Sequence, residues 1–284
     1  MVTIVQFSGG KDSMAALLWT LENITKKLLI VFCDTGFEAA ETYKYIDYVE
    51  EKLSIPIIKI ESKKYNGMFD MVEKKKRFPS TKARFCTEEL KVKPMIDFIL
   101  DSNEDFIAIQ GIRADESLAR SKMQKQCTYF KFYFEAYNDK GKKHSYRGKE
   151  VRKFAKEKVN DILRPVFDWT ADEVISYILE KGFEVNPLYK KGFKRVGCFP
   201  CIMSNQTDIK SLNMFYPERI KEISDFEIKT GSSLFPPDKI PKRFCKNKNY
   251  PTILEIVEYL KEHSLNMFED EQNTSCLSFY NVCE

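Results

Sequence analysis

The sequence predicts an α/β fold built on a parallel sheet flanked by helices. Three observations carry that prediction. Short β-branched apolar runs alternate with amphipathic helical stretches. The first run enters a Gly-Gly turn that opens a helix, and two later runs end on Asp-Thr-Gly and Gly-Ile-Arg-Ala-Asp turns. Such alternation marks parallel strands joined by right-handed crossovers.

The elements follow in order. Residues 2–7 (VTIVQF) are apolar and β-branched and predict a buried strand. Ser8–Ser13 (SGGKDS) is the turn, and MAALLWTLENI predicts the helix after it. Residues 28–33 (LLIVFC) predict a second buried strand ending at Asp34-Thr35-Gly36; a helix from Glu38 to Lys52 and a strand at 55–60 come next. Residues 106–110 (FIAIQ) predict a further core strand running into Gly111–Asp115. In 121–163 the alternation of aromatic and polar residues over Tyr129–Tyr137, with a turn at Asn138–Gly141, predicts a basic hairpin insertion. Thr170 with Glu173 three residues on predicts a capped helix over 170–182. The domain expectation is a nucleotide-binding α/β domain over 1–195 and a cysteine-containing helical region over 196–284.

Composition narrows the function class. Of 284 residues, 43% are hydrophobic and 31% charged, which excludes disordered and low-complexity chains. No run reaches membrane-spanning length and no signal peptide opens the chain, so a cytoplasmic protein with no membrane contact is expected. Eight cysteines without an export signal point to metal, cluster or redox chemistry rather than a disulfide framework. The net charge of +4 is too small to argue nucleic-acid binding for the whole chain. Its distribution says more: residues 121–158 hold 12 Lys/Arg against 4 Asp/Glu, interleaved with Tyr129, Phe130, Phe132, Tyr133, Phe134 and Tyr137. Cations for phosphate and aromatics for base stacking suit a nucleic acid or a partner protein that brings one. A hairpin with one aromatic core face and one solvated basic face explains the same pattern.

Ser8-Gly9-Gly10-Lys11-Asp12-Ser13 is the strongest chemical signal. Two glycines let the backbone approach an anion, successive N–H groups form a nest, and the helix N-terminus adds partial positive charge. Lys11 can neutralise phosphate oxygens, Ser8 and Ser13 can donate hydrogen bonds, and Asp12 can position Mg²⁺ or the loop itself. The GxxxxGK[ST] pattern is absent, which disfavours a P-loop kinase or GTPase. Asp34, Gly111 and Arg113 fall at predicted strand ends, where ligands of open α/β sheets sit. Asp34 can serve a ribose, a metal or a helix cap. Arg113 and Arg120 offer planar forks for phosphate or sulfate, or structural pairing with Asp115 or Glu116. Lys91, Lys194 and Arg195 can face the same anion or solvent.

SGGKDS at the end of a first strand resembles the PP-loop of the ATP pyrophosphatase superfamily, and four further segments resemble its phosphoadenosine phosphosulfate (PAPS) reductase-like branch. These are Asp34-Thr35-Gly36-Phe37-Glu38 with Glu41-Thr42-Tyr43; Arg84-Phe85-Cys86-Thr87 with Leu90-Lys91 and Pro94; Gly111–Ser117 with Arg120; and Arg164-Pro165 through Trp169, then Asn186–Tyr189 and Gly197-Cys198. The resemblance covers residues 2–205. It implies a Rossmann-like, adenine nucleotide alpha hydrolase-like fold, ATP with Mg²⁺, and cleavage of ATP between its α- and β-phosphates, with Lys11, Asp12 and Arg113 catalytic. It implies nucleotide contacts from Ser8, Gly9, Gly10, Lys11, Asp12, Ser13, Asp34, Gly111, Arg113 and Arg120. Dedicated sulfonucleotide reductases of this family alter the loop and carry a C-terminal ECG[IL]H segment. Here Lys11-Asp12 is retained and the segment is absent, which favours ATP cleavage with adenylyl transfer for sulfur transfer. A sulfonucleotide reductase and a nucleotide-binding regulatory subunit without turnover are the other readings; the oligomeric state stays open, a homodimer included.

Cys198-Phe199-Pro200-Cys201 can chelate a metal or form a redox pair. With Cys86 and Cys245 it can supply four thiolates, suited to a [4Fe–4S] cluster or Zn²⁺; core packing explains the same residues without a metal. Cys33, at a strand end, reads as a core thiol. Cys276 and Cys283 can pair, relay sulfur or have no chemical role. His144 and His263 read as isolated and exposed.

Overall fold

The computed structural model describes residues 1–24, 26–135, 145–246 and 250–263. Six strands form one sheet in the order β3-β2-β1-β4-β6-β5, with β1 (Val2–Gln6), β2 (Leu28–Cys33), β3 (Ile57–Ile60), β4 (Phe106–Gln110), β5 (Gln126–Thr128) and β6 (Asn160–Leu163). All neighbours are parallel except β5 and β6. The chain builds outward from β1 to β3, then returns to place β4 on the other side of β1. β1 and β4 therefore flank the point where the winding reverses, and a crevice opens beyond their carboxyl ends. Their register ends together, Gln6 opposite Gln110.

The period-2 pattern of the strands sends alternate residues to opposite faces. Val5, Ile30, Phe32 and Ile109 meet α1 (Lys11–Asn23), α2 (Ala40–Leu53) and α8 (Ala171–Glu180) through Met14, Leu17, Ile46, Val49, Val174 and Ile178. Ile4, Val31, Ala108 and Ile162 face α5 (Lys93–Ser102) and α7 (Gly148–Glu157) through Met95, Ile99, Val151 and Phe154. The capped helix after Thr170 forms with both reciprocal bonds of a capping box. The stretch between β3 and β4 supplies α3 (Gly67–Lys75), the single turn α4 (Phe85–Thr87) and a π-helical turn over Glu88–Val92 that runs into α5. A short α6 (Leu118–Ser121) follows β4.

The expected hairpin is not what forms in the described part of 121–163. β5 pairs antiparallel with β6, which lies some thirty residues later, and α7 intervenes. Tyr129, Phe130 and Tyr133 are buried, packed edge-on around Phe106 and Phe154. Burial of apolar area claims these rings for the core, so they offer no stacking face; Tyr137, the Asn138–Gly141 turn and His144 lie outside the described residues.

Beyond residue 195 come α9 (Gln206–Phe215), α10 (Pro217–Thr230) and α11 (Ile253–Glu262). They share a third apolar cluster with Phe37, Met68, Met71, Val72 and Leu90. His263 is half-buried rather than exposed, its ring stacked on Tyr259 at 4.4 Å. Glu227 ties this region together: its carboxylate accepts from the Leu234 amide at 3.0 Å and the Ile253 amide at 2.8 Å. Burial raises its pKa to about 7, the amide donors opposing the shift. A carboxyl whose folded pKa lies above its unfolded value favours folding most when protonated, so this contribution falls as pH rises from the ordinary carboxylate range to about 7. The unfolding free energy of the wild type relative to Glu227→Gln is expected to drop by about 3 kcal/mol across that interval in urea titrations at a series of pH values.

Candidate active site

The PP-loop stands where the sheet predicts it, between β1 and α1. Gly9 has φ +80°, a left-handed conformation that glycine adopts without strain, and an added Cβ there would lie 2.9 Å from Thr42. The buried Asn186 donates to the Gly9 carbonyl at 3.2 Å and to the Thr42 hydroxyl at 3.4 Å, which fixes the turn from the far end of the chain. Three loop amides donate to hydroxyl oxygens: Ser8 to Ser13 at 3.2 Å, Gly10 to Ser8 at 3.3 Å, and Lys11 to Tyr189 at 3.0 Å. A phosphate oxygen is an acceptor of the same kind at the same distance. The Lys11 ammonium lies 5.4 Å from the Tyr189 ring centroid, within cation–π range.

Asp12 is buried between two cations. One oxygen accepts from Arg113 Nε at 2.6 Å and the other lies 3.3 Å from Lys11 Nζ. Arg113 also pairs with Asp115, and Arg120 with Glu116; both arginines are buried. Their forks are thus engaged with carboxylates, and neither is among the residues that line the two cavities described below. This arrangement fits Asp12 to orienting Lys11 better than to holding Mg²⁺, because both of its oxygens face a cation. Gly111 works by close approach: a Cβ there would lie 2.3 Å from the Asp12 carbonyl carbon. Only a glycine at the end of β4 lets the loop backbone sit against it.

Asp34 accepts from the Gly36 amide at 2.9 Å and the Tyr43 hydroxyl at 2.6 Å, shaping its own turn. The neighbouring Glu38 is the better-placed carboxylate. It accepts from the Thr35 amide at 3.2 Å, the Thr35 hydroxyl at 2.6 Å, the Phe37 amide at 3.1 Å and Tyr43 at 3.2 Å, and it borders a cavity at the ends of β1, β2 and β4. Cys33 lines that cavity too; burial pushes its thiol up to about 12, with Lys91 opposing.

The larger cleft measures about 870 Å³ counted out to its open mouth. It gathers Lys11, Arg84, Lys91, Lys194 and Arg195 with the thiols of Cys86, Cys198 and Cys201. Lys194 is held by its amide, which donates to buried Asp208 at 2.7 Å. Burial pushes the Cys198 thiol up to about 12; the Lys91 charge opposes this, while Glu38, Cys201 and Cys86 add to it. Cys245 packs against the same apolar cluster as the other three, with its thiol 3.9 Å from the Pro241 carbonyl, but it is not among the residues that line the cleft. Among the described residues no group of three or more His, Cys, Asp or Glu side chains is gathered to hold a metal ion, the expected four thiols included. As placed, the thiols do not fit a [4Fe–4S] or Zn²⁺ centre. Cys276 and Cys283 lie outside the described residues.

The model of the phosphoadenosine phosphosulfate reductase domain matches residues 3–204. The chain belongs to this family. A 37.8 kDa uncharacterised protein of Escherichia phage 186 is 29% identical, over 89% of this chain and 85% of its own. The uncharacterised protein MJ0066 of Methanocaldococcus jannaschii is 31% identical over 76% of this chain, which spans 39% of that longer relative. The crystal structure of PAPS reductase from Candida auris superposes with a TM-score of 0.47 at 14% identity, covering 69% of this chain and 81% of that one. Among the described residues no helix is long and apolar enough to cross a membrane.

One residue outside the family match shapes the thiol loop. Arg219 of α10 donates through Nε to the Phe199 carbonyl at 2.8 Å, between the two cysteines of the CxxC, and through a terminal nitrogen to the Phe37 carbonyl at 3.4 Å. Its guanidinium lies 4.1 Å from the Phe37 ring centroid. The Phe199 amide donates to the same Phe37 carbonyl at 2.7 Å, so this PAPS reductase-family chain clamps its CxxC to the Asp-Thr-Gly loop from the C-terminal helices. The motif containing Asn186 and Tyr189 gives no hint of their tasks, and for Arg219 the sequence carries no signal at all. Arg219→Met keeps the apolar contact and removes the clamp. We expect Cys198 to alkylate about tenfold faster, as a freed loop opens locally, while Cys33 in the same molecule is unchanged; peptide mass mapping of iodoacetamide-treated protein reads both.

Proposed function

We propose that this PAPS reductase-family protein is a PP-loop ATP pyrophosphatase that adenylylates an acceptor for sulfur transfer. The observation that carries the reading is that the PP-loop lysine, four further cations and three cysteine thiols border one cleft. A triphosphate laid along it would meet the loop amides and Lys11 at the end of β1 and the remaining cations across the opening. An acceptor oxygen attacks the α-phosphorus, the bond from that phosphorus to the bridging oxygen of the β-phosphate breaks, and pyrophosphate leaves with the electron pair. Lys11 and the amides stabilise the charge that develops on the departing oxygens. Mg²⁺, carried by the phosphates, would add further charge neutralisation. A sulfide-level sulfur from a separate donor then attacks the activated acceptor, and AMP leaves with the electron pair of the bond that breaks; Cys86, Cys198 and Cys201 border the cleft in which this would occur.

The test is pyrophosphate release from ATP by the purified chain with candidate acceptors, run beside sulfite release from PAPS and adenylyl sulfate with a thiol reductant. Acceptor-dependent pyrophosphate supports the reading. Sulfite release without ATP would replace it with a sulfonucleotide reductase. Tight ATP binding with neither product would replace it with a regulatory subunit.

A further inference from the structure

Away from the cleft, the proposed reaction leaves the outer surface of α7 unused. Lys149, Arg152, Lys153 and Lys156 recur at i, i+3, i+4 and i+7, so they share one helix face, and all four are exposed. The opposite face buries Val151 and Phe154. Some basic residues on other helices are neutralised within about one turn, Lys74 by Asp70 at 2.8 Å and Lys93 by Glu89 at 2.9 Å. On α7 the one acid in the first turn, Glu150, is taken by Arg147, which also holds Asp97 and Asp101. Glu157 stands four residues after Lys153, yet among the described residues none of the four stripe cations forms an ion pair. The stripe extends over about 10 Å of helix.

Its placement relates it to the cleft. Tyr146, two residues before α7, has its ring 5.3 Å beneath the Lys93 ammonium, and Lys93 follows two residues after cleft-lining Lys91. The loop that enters α7 therefore touches the segment that follows cleft-lining Lys91. Two aromatic rings accompany the cations: Phe134 beneath Arg152 at 5.4 Å, and Phe132 beneath Lys131 at 5.3 Å, both rings half-buried.

We propose that this face of α7 docks the sugar–phosphate backbone of a nucleic acid and leads it toward the cleft. Cations in a row, without an ion pair among the described residues, match a row of phosphates, and releasing the phosphates' counterions drives such contacts. An anionic membrane would also attract the charge. The apolar residues of α7 are consumed by the core, however, leaving none to enter a bilayer, whereas rings beside cations suit bases. As the identity of the acceptor, the nucleic acid rests on the adenylylation reading; as a docking partner it does not, and binding is measured without nucleotide so that the two fail separately.

The experiment is fluorescence anisotropy of labelled mixed-sequence oligonucleotides, single- and double-stranded, across a salt series. The wild type is expected to bind with an affinity that falls steeply with salt. Replacing all four stripe cations (Lys149→Gln, Arg152→Gln, Lys153→Gln, Lys156→Gln) should flatten the log–log salt slope by about 3 and weaken low-salt binding at least about tenfold. A control carrying Lys44→Gln and Lys221→Gln, exposed on α2 and α10, should keep the wild-type slope, with circular dichroism confirming that both variants are folded. Absence of wild-type binding, an unchanged slope in the stripe variant, an equal loss in the control, or displacement of the strand by phosphatidylserine vesicles would overturn the proposal.

Discussion

Lys11→Ala is expected to reduce pyrophosphate release from ATP by about a hundredfold or more, with the thermal midpoint nearly unchanged. The size follows from removing a preorganised charge at the point where negative charge develops. The unchanged midpoint follows from geometry. Asp12, the one carboxylate paired with Lys11 Nζ among the described residues, at 3.3 Å, keeps its shorter bond to Arg113 at 2.6 Å, so no buried charge is orphaned. Asp12→Ala should behave differently. It strips a buried partner from Arg113, which is 4% exposed, and leaves Asp115 to hold the guanidinium from a half-exposed position. Breaking a buried pair in this way costs about 3–5 kcal/mol. Asp12→Ala should therefore lose both activity and stability, and urea unfolding beside the pyrophosphate assay separates the two variants. Equal activity in wild type and Lys11→Ala would remove the loop from the reaction.

Gly111→Ala should be severely damaging for the addition of a single methyl. The added Cβ would lie 2.3 Å from the Asp12 carbonyl carbon, 2.4 Å from its oxygen and 2.4 Å from the Ser13 amide. All three are backbone atoms at the start of α1, so no side chain can swing aside. Overpacking of this kind typically costs about 1–3 kcal/mol and sometimes more; here relief requires moving the loop that presents the phosphate donors. Lower stability and loss of nucleotide binding are expected together, by urea unfolding and by isothermal titration with ATP. A variant with wild-type stability and affinity would show that β4 and the loop do not need their close approach.

The parallel sheet was legible because its strands are short apolar β-branched runs and its crossovers amphipathic helices, a pattern that burial on both faces imposes residue by residue. The loop was legible for a similar reason: glycines, a lysine and hydroxyls are contiguous, so their chemistry shows in one line of text. The basic aromatic segment misled because alternation fits a hairpin and a buried turn equally well. Tyr129, Phe130 and Tyr133 go to the core once Phe106 and Phe154 offer them apolar partners. Arg113 and Arg120 illustrate the same limit, since a fork that suits phosphate also suits the carboxylates of Asp12, Asp115 and Glu116.

Strands β5 and β6 appeared only in the structure. By itself the sequence determined the four strands β1 to β4 of the sheet, the position of the phosphate loop at the end of the first strand, and the family. These depend on residues close together in the chain, where spacing dictates geometry. Only the tertiary structure decided that Asn186 and Tyr189 hold the loop, that Lys91 and Arg195 line a cleft with three of the cysteines and not Cys245, and that Arg219 clamps the CxxC. Those contacts join residues distant in sequence, and they are selected by which buried donors and charges find partners when the layers close, a competition that no local pattern records.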